Sequence, residues 1–190
     1  MVRRISDRLR RSSSTWVALL GLAVFLLFSV LVLPGQSSQA AEYGEGAGSP
    51  DMSLFYSRND LYRMAEAYGE AGRAAYVRAR FTFDLIWPIV YALFLVTAVS
   101  WVYGKAFSPR SGWRLANMAP LLGASFDYLE NVSAAVVMLR YPDPTIVIDT
   151  LAPVFTLVKW VFLGGSIVLL FVGAFVAVWR AATGAHHPEA

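Results

Sequence analysis

The chain has 190 residues, 57% of them hydrophobic and only 15% charged, against about 25% charged in an average soluble domain. One small, membrane-inclined domain is all this length allows, and the absence of cysteine excludes a disulfide framework, thiol redox chemistry and thiolate metal sites. The net charge of +3 is unevenly distributed, and its placement says more than its size.

Residues 1–15 are basic, with Arg3, Arg4, Arg8, Arg10 and Arg11 against one acid, Asp7. The apolar run 16–33 that follows is about as long as a bilayer span of ~20 residues. A rival reading is a cleaved signal peptide, because Ser38-Gln39-Ala40 is a small-x-Ala pattern. The run is longer than the roughly 7 to 15 residues of a signal core, which favours an anchor.

Residues 34–80 form the sizeable polar segment. Gly35 to Pro50, rich in Gly, Ser and Ala, reads as a flexible linker. Ser57 and Asp60 then fit a capping box, and Leu61, Met64, Ala65 and Tyr68 recur at helical spacing before Gly69. A second helical stretch, Glu70 to Arg80, carries Arg73, Arg78 and Arg80. Together these predict an amphipathic helical segment on the outer membrane face. It either shields the end of a bundle or forms a lid whose arginines, Arg73 among the candidate substrate-binding residues, meet lipid phosphates or carboxylates below.

Residues 81–104 are the second predicted span. Asp84, Trp87, Pro88 and Tyr91 share a helical stripe that starts at the outer surface and descends, so Asp84, Trp87 and Tyr91 are candidate substrate-binding groups. Asp84 also suits the first turn of a helix, where the dipole favours a carboxylate.

The third predicted span, 115–139, holds Asp127-Tyr128-Leu129-Glu130-Asn131 near its centre. Each ionisable group at mid-membrane costs roughly 2.5 to 3.5 kcal/mol on insertion scales, so such groups pair, bind something or move protons. Positions i, i+3 and i+4 put Asp127, Glu130 and Asn131 on one face. Pro120, Gly123, Ala124, Ala134 and Ala135 continue that stripe with small residues that admit a neighbouring helix.

The fourth predicted span, 151–179, contains Lys159, which lies about 15 Å from the outer end of its run, as Glu130 does in its own. Lys159 either meets Glu130 or reaches to the outer surface beside Trp160. Two carboxyls and one lysine leave about −1 if all are ionised. A protonated carboxyl, an arginine from the outer helix or a bound cation would cancel it.

Lys105, Arg110 and Arg114 between spans two and three, and Arg180 in the tail 180–190, join the N-terminal arginines on one side. The positive-inside bias makes that side cytoplasmic, so both termini of this inner or plasma membrane protein are expected inside. The only histidines, His186 and His187, follow the last span, which argues against haem or a histidine-rich di-metal site within it. No cofactor is expected, and the metal question stays open.

The expected fold is therefore all-α, an integral membrane four-helix bundle with an amphipathic helical segment between spans one and two. Asp127, Glu130, Asn131 and Lys159 are the candidate catalytic groups of an outward-facing acidic pocket that binds or acts on a lipid or isoprenoid. A proton or cation pathway, or a non-catalytic subunit of a membrane complex, are the alternatives. Membrane lipids are the expected partners, a homo-oligomer or membrane complex is left open, and nucleic acid is not expected. From Tyr56 to Lys159, the string Gly72-Arg73 with Tyr76, Asp84 with Pro88 and Tyr91, Asp127 to Asn131, and Lys159-Trp160 resembles bacterial four-span proteins of no assigned activity. That resemblance implies a span count and no chemistry.

Overall fold

A computed structural model of the chain describes residues 1–44 and 46–184; His186 and His187 fall outside them. Helix makes up 82% of the structure, and the described residues contain no strand. Three helical stretches are long and apolar enough to cross a bilayer: Thr15–Glu42, Gly69–Ala106 and Ile148–Thr183.

Helix α1, Val2–Ser12, leads through the cap residue Ser14, which accepts from the Val17 N–H, into α2, Thr15–Leu31. After α2 the chain stays helical as α3, Leu33–Gly44. The expected flexible linker from Gly35 is thus corrected over residues 35–44. Pro34 falls in the first turn of α3, where its missing N–H costs nothing, and the Gln, Ser and Ala residues after it contain no helix breaker.

Helix α4, Arg58–Ala67, starts on a full capping box: Ser57 accepts from the Asp60 N–H, and Asp60 accepts from the Ser57 N–H at 2.8 Å. An elbow at Gly69, whose φ of +59° suits a residue without Cβ, turns the chain into α5, Gly69–Arg80. The apolar face of this pair is not left for lipid. Tyr56, Leu61, Met64, Ala65, Tyr68 and Tyr76 are buried with Ala134, Val137 and Met138 and with Ala152. The segment therefore caps one end of the two helices that follow.

Those helices are α7, Ala119–Arg140, and α8, Ile148–Thr183. They pack along one another and against α6, Phe83–Ala106, while α2 packs on the far side of α6. A 3-10 turn, Gly112–Met118, joins α6 to α7. Gly123 lets α7 and α8 approach closely, since a Cβ there would stand 3.4 Å from the Leu163 backbone nitrogen. Gly173 does the same for α8 and the Tyr103 ring on α6, whose hydroxyl donates to the Leu169 carbonyl at 2.9 Å.

The helices differ in length. At ~1.5 Å per residue, the 24 residues of α6 run about 36 Å and the 36 of α8 about 54 Å. The first turns of α8 extend past the start of α6, and α4 packs on them, with Arg58 and Tyr62 reaching Asp149. At the opposite end of α6, Ser6 of α1 donates to Asn117 Oδ1 at 2.7 Å, and Asn117 Nδ2 donates to Ser100 Oγ at 2.9 Å. This small polar knot ties α1 to the bundle.

Candidate functional site

The inward face of α7 carries Asp127, Glu130 and Asn131, all buried. Opposite them on α8, Lys159 is 2% exposed: its ammonium lies 5.3 Å from the Trp160 ring but turns inward and does not reach out to the surface. Its Nζ lies 2.5 Å from Glu130 Oε2 and 3.7 Å from Asp127 Oδ1. Tyr91 of α6 donates its hydroxyl to Asp127 Oδ2 at 2.7 Å, and Asn131 Nδ2 donates to Asp127 Oδ1 at 3.2 Å. Glu130 Oε1 has no hydrogen-bond partner among the described residues.

Two further residues complete the cluster, and the sequence reading did not place either in it. Asp51, on the segment between α3 and α4, sets Oδ1 3.0 Å from Lys159 Nζ and Oδ2 3.4 Å from Arg80. Arg80, at the end of α5, lies 2.8 Å from Asp84 through Nε, donates to Asn131 Oδ1 at 3.3 Å, and sits over the Tyr76 ring at 4.6 Å. The outer-helix arginine anticipated by charge counting is thus Arg80. Arg73 is elsewhere: it donates to the Ala65 carbonyl at 2.9 Å and stacks on Tyr141 at 4.7 Å. The two arginines are seven residues apart on one helix, about 10 Å, and only the end nearer α6 reaches the cluster.

The signal for Asp51 was an acid at the head of the mostly apolar stretch Met52 to Tyr56, directly after the segment Gly35 to Pro50 read as a linker. Burial pushes its pKa upward, but the ammonium of Lys159 and the guanidinium of Arg80 outweigh that and hold it at about 2. Burial, with Glu130 adding to it, pushes the nearby Tyr56 hydroxyl well above its ordinary range. Thr156 donates to that hydroxyl at 3.1 Å.

The charge balance changes accordingly. Asp51, Asp84, Asp127 and Glu130 stand against Arg80 and Lys159, four acids to two cations, or −2 with every group ionised. Asp51, Asp127 and Glu130 offer carboxylate oxygens within 4.8 Å of one another, a spacing suited to a cation. Lys159 lies within 3.7 Å of all three, so its ammonium stands where such a cation would bind.

The cluster forms one end of a cavity of about 480 Å³ between α2, α6 and α8. Asp51, Asp127, Lys159 and Tyr91 face it at that end; Leu163, Ile167, Leu170 and Phe171 line the rest. Trp87 is part of the wall, stacked on Phe25 at 5.7 Å and on Phe28 at 5.6 Å across the α2–α6 contact. A second cavity, about 320 Å³, lies beside α3 and Arg80 and shares Leu33, Ser37, Asp51, Met52 and Phe83 with the first. Asp84 faces Arg80 and does not line either one.

Below Asp127 the polar track stops. Ser166 spends its hydroxyl on the Phe162 carbonyl at 2.6 Å, and Asn117 belongs to the knot with Ser6 and Ser100. Comparisons of the chain with protein-family models, curated proteins and solved structures find no match, so the likeness to bacterial four-span proteins gains no support and function rests on this geometry.

Proposed function

We propose that α2, α6, α7 and α8 form a four-span membrane bundle with both termini cytoplasmic, and that it draws an amphiphile, a lipid or isoprenoid, from the bilayer into the cleft between α2, α6 and α8. The observation that carries this reading is the shape of the larger cavity, which is apolar along its length and polar at one end. Such a lining matches a hydrocarbon tail and a single head group. The arginines of α1, Lys105 and Arg110 near the α6–α7 turn, and Arg180 support the orientation.

On this reading the length of α6 puts the upper part of the cluster at an edge of the membrane instead of its middle. A hydrocarbon core of ~30 Å matches α6 and leaves the first turns of α8 outside, under α4. Asp84, Arg80, Asp51 and Lys159 then lie at the outer boundary, where these four ionisable groups are less costly than at the centre. The smaller cavity would open this boundary to the outer aqueous side.

The test is native mass spectrometry of the protein purified in a neutral detergent. Wild type is expected to carry a co-purifying amphiphile. Leu163→Trp, which fills the cleft, is expected to lower occupancy at least tenfold, while Val168→Trp, on an exposed face of α8 away from the cleft, keeps it. Equal occupancy in all three proteins, or none in wild type, defeats the reading.

The surplus of carboxylates supports a second reading, a proton- or cation-binding site. Thr97, Ser166 and Asn117, the buried polar groups below Asp127, are spent on local hydrogen bonds, which favours holding a charge over conducting it.

A further inference from the structure

Resting on the amphiphile reading above, we propose that the cleft selects a single-chain amphiphile whose head group is a protonated amine, and rejects phosphate and carboxylate head groups. The groups facing the polar end decide this. Both cations of the cluster are already committed: Lys159 lies 2.5 Å from Glu130 and 3.0 Å from Asp51, and Arg80 lies 2.8 Å from Asp84 and 3.4 Å from Asp51. An anionic head group would have to break one of these pairs and leave a buried carboxylate behind.

What the cavity does offer is acceptors. Asp51 and Asp127 line it with carboxylate oxygens, and Tyr91 presents an oxygen whose hydrogen already points to Asp127. An ammonium group brings several donors and a positive charge to a wall rich in acceptors, where Asp51 and Asp127 face one cation, Lys159, within a cluster that holds two more acids than cations. Its arrival lowers the imbalance from −2 to −1, where a singly charged anion would raise it to −3.

The tail has its own fit. From Lys159 to Phe171 is twelve residues of α8, about 18 Å, and Leu163, Ile167, Leu170 and Phe171 along it line the cleft. That is room for one extended alkyl chain. A volume of about 480 Å³ is too narrow for a two-chain phospholipid, but falls inside the usual range for a small ligand.

The experiment compares dodecylamine, dodecanol and dodecyl phosphate on the full chain in a neutral maltoside detergent at pH 7, by native mass spectrometry with competition between pairs. The amine is expected to bind at least tenfold tighter than either of the others. Asp127→Asn, and separately Asp51→Asn on the outer segment, are expected to cut that preference to less than threefold, while Val168→Trp, away from the cleft, keeps it. If one variant does not fold, the other still carries the comparison. Tighter binding of the phosphate, or equal binding of all three chains, overturns the head-group proposal and leaves the amphiphile reading standing. If none of the three binds wild type, the amphiphile reading itself fails.

Discussion

Asp51 Oδ1 lies 3.0 Å from Lys159 Nζ, which joins a segment between two outer helices to the interior of the last one. The contact closes the polar end of the cleft, because Asp51 also reaches Arg80 and lines both cavities. Its folded pKa of about 2 is below the ~3.9 of an unfolded chain, so on acidification the unfolded state takes up the proton first. The stabilisation is complete above about pH 5, is lost between about pH 4 and pH 2, and amounts to about 2 kcal/mol. Denaturant unfolding of wild type and Asp51→Asn should show that gap at pH 7 and a much smaller one at pH 2.5. A gap that does not change with pH would mean the Asp51 carboxylate is not held by these cations.

Lys159 touches three carboxylates, and removing it leaves them facing each other inside the protein. Breaking a buried pair from one side costs about 3 to 5 kcal/mol, chiefly through the unpaired charge that remains. Lys159→Met is therefore expected to lower stability by that amount. Adding Glu130→Gln should recover at least a third of it, since the closest carboxylate is then neutral. Thermal unfolding of the two single variants and the double variant in detergent gives the coupling, and strict additivity would show that the 2.5 Å contact between Lys159 and Glu130 contributes nothing.

Much of the helical layout and all of the cluster but Asp51 and Arg80 could be read from the sequence, for physical reasons that also explain what was missed. The capping box at Ser57 and the spacing of Leu61, Met64 and Ala65 are local signals, and local signals suffice for α4. Asp127, Glu130 and Asn131 share a face by helical geometry alone, and the depth of Lys159 follows from counting along its run. Asp51 has no periodicity to place it: it lies outside any helix, and only tertiary packing brings it to Lys159. The choice between Arg73 and Arg80 depends on which end of α5 points toward α6, and spacing within a helix does not contain that information. The helical continuation through α3 was hidden for a different reason, since its Gly, Ser and Ala residues are as common in linkers as in a helix that a preceding span has already nucleated.

The α6–α8 contact depends on a residue with no side chain. A Cβ at Gly173 would overlap the Tyr103 ring and meet Val102, both on α6. Overpacking of this kind costs about 1 to 3 kcal/mol, so Gly173→Ala is expected to lower stability within that range. In a Tyr103→Leu background the same substitution should cost less than about 0.5 kcal/mol, because the ring it strikes is gone. Chemical denaturation in detergent measures both. A full-sized cost in the Leu background would place the problem in the α8 backbone instead of this contact. Gly164 and Gly165 serve as controls, since a Cβ at either meets nothing within 4 Å.

The proposed orientation can be tested directly because the chain has no cysteine of its own. Single cysteines at Ser111, in the turn after α6, and at Thr183, at the end of α8, are expected to resist a membrane-impermeant maleimide in intact cells and to react after permeabilisation. Cysteines at Glu70, on α5, and Asp143, between α7 and α8, are expected to react in intact cells. The pairing carries the information. Ser111 and Asp143 flank α7, the most polar of the four proposed spans because it holds Asp127, Glu130 and Asn131. If both label from the same side, α7 does not cross the bilayer, and the cluster sits on a helix packed against three spans instead of within a fourth. Asp143 labelled from outside and Ser111 only after permeabilisation means that α7 crosses, and that the cleft beside Asp127 faces the outer leaflet, from which the proposed amphiphile would enter.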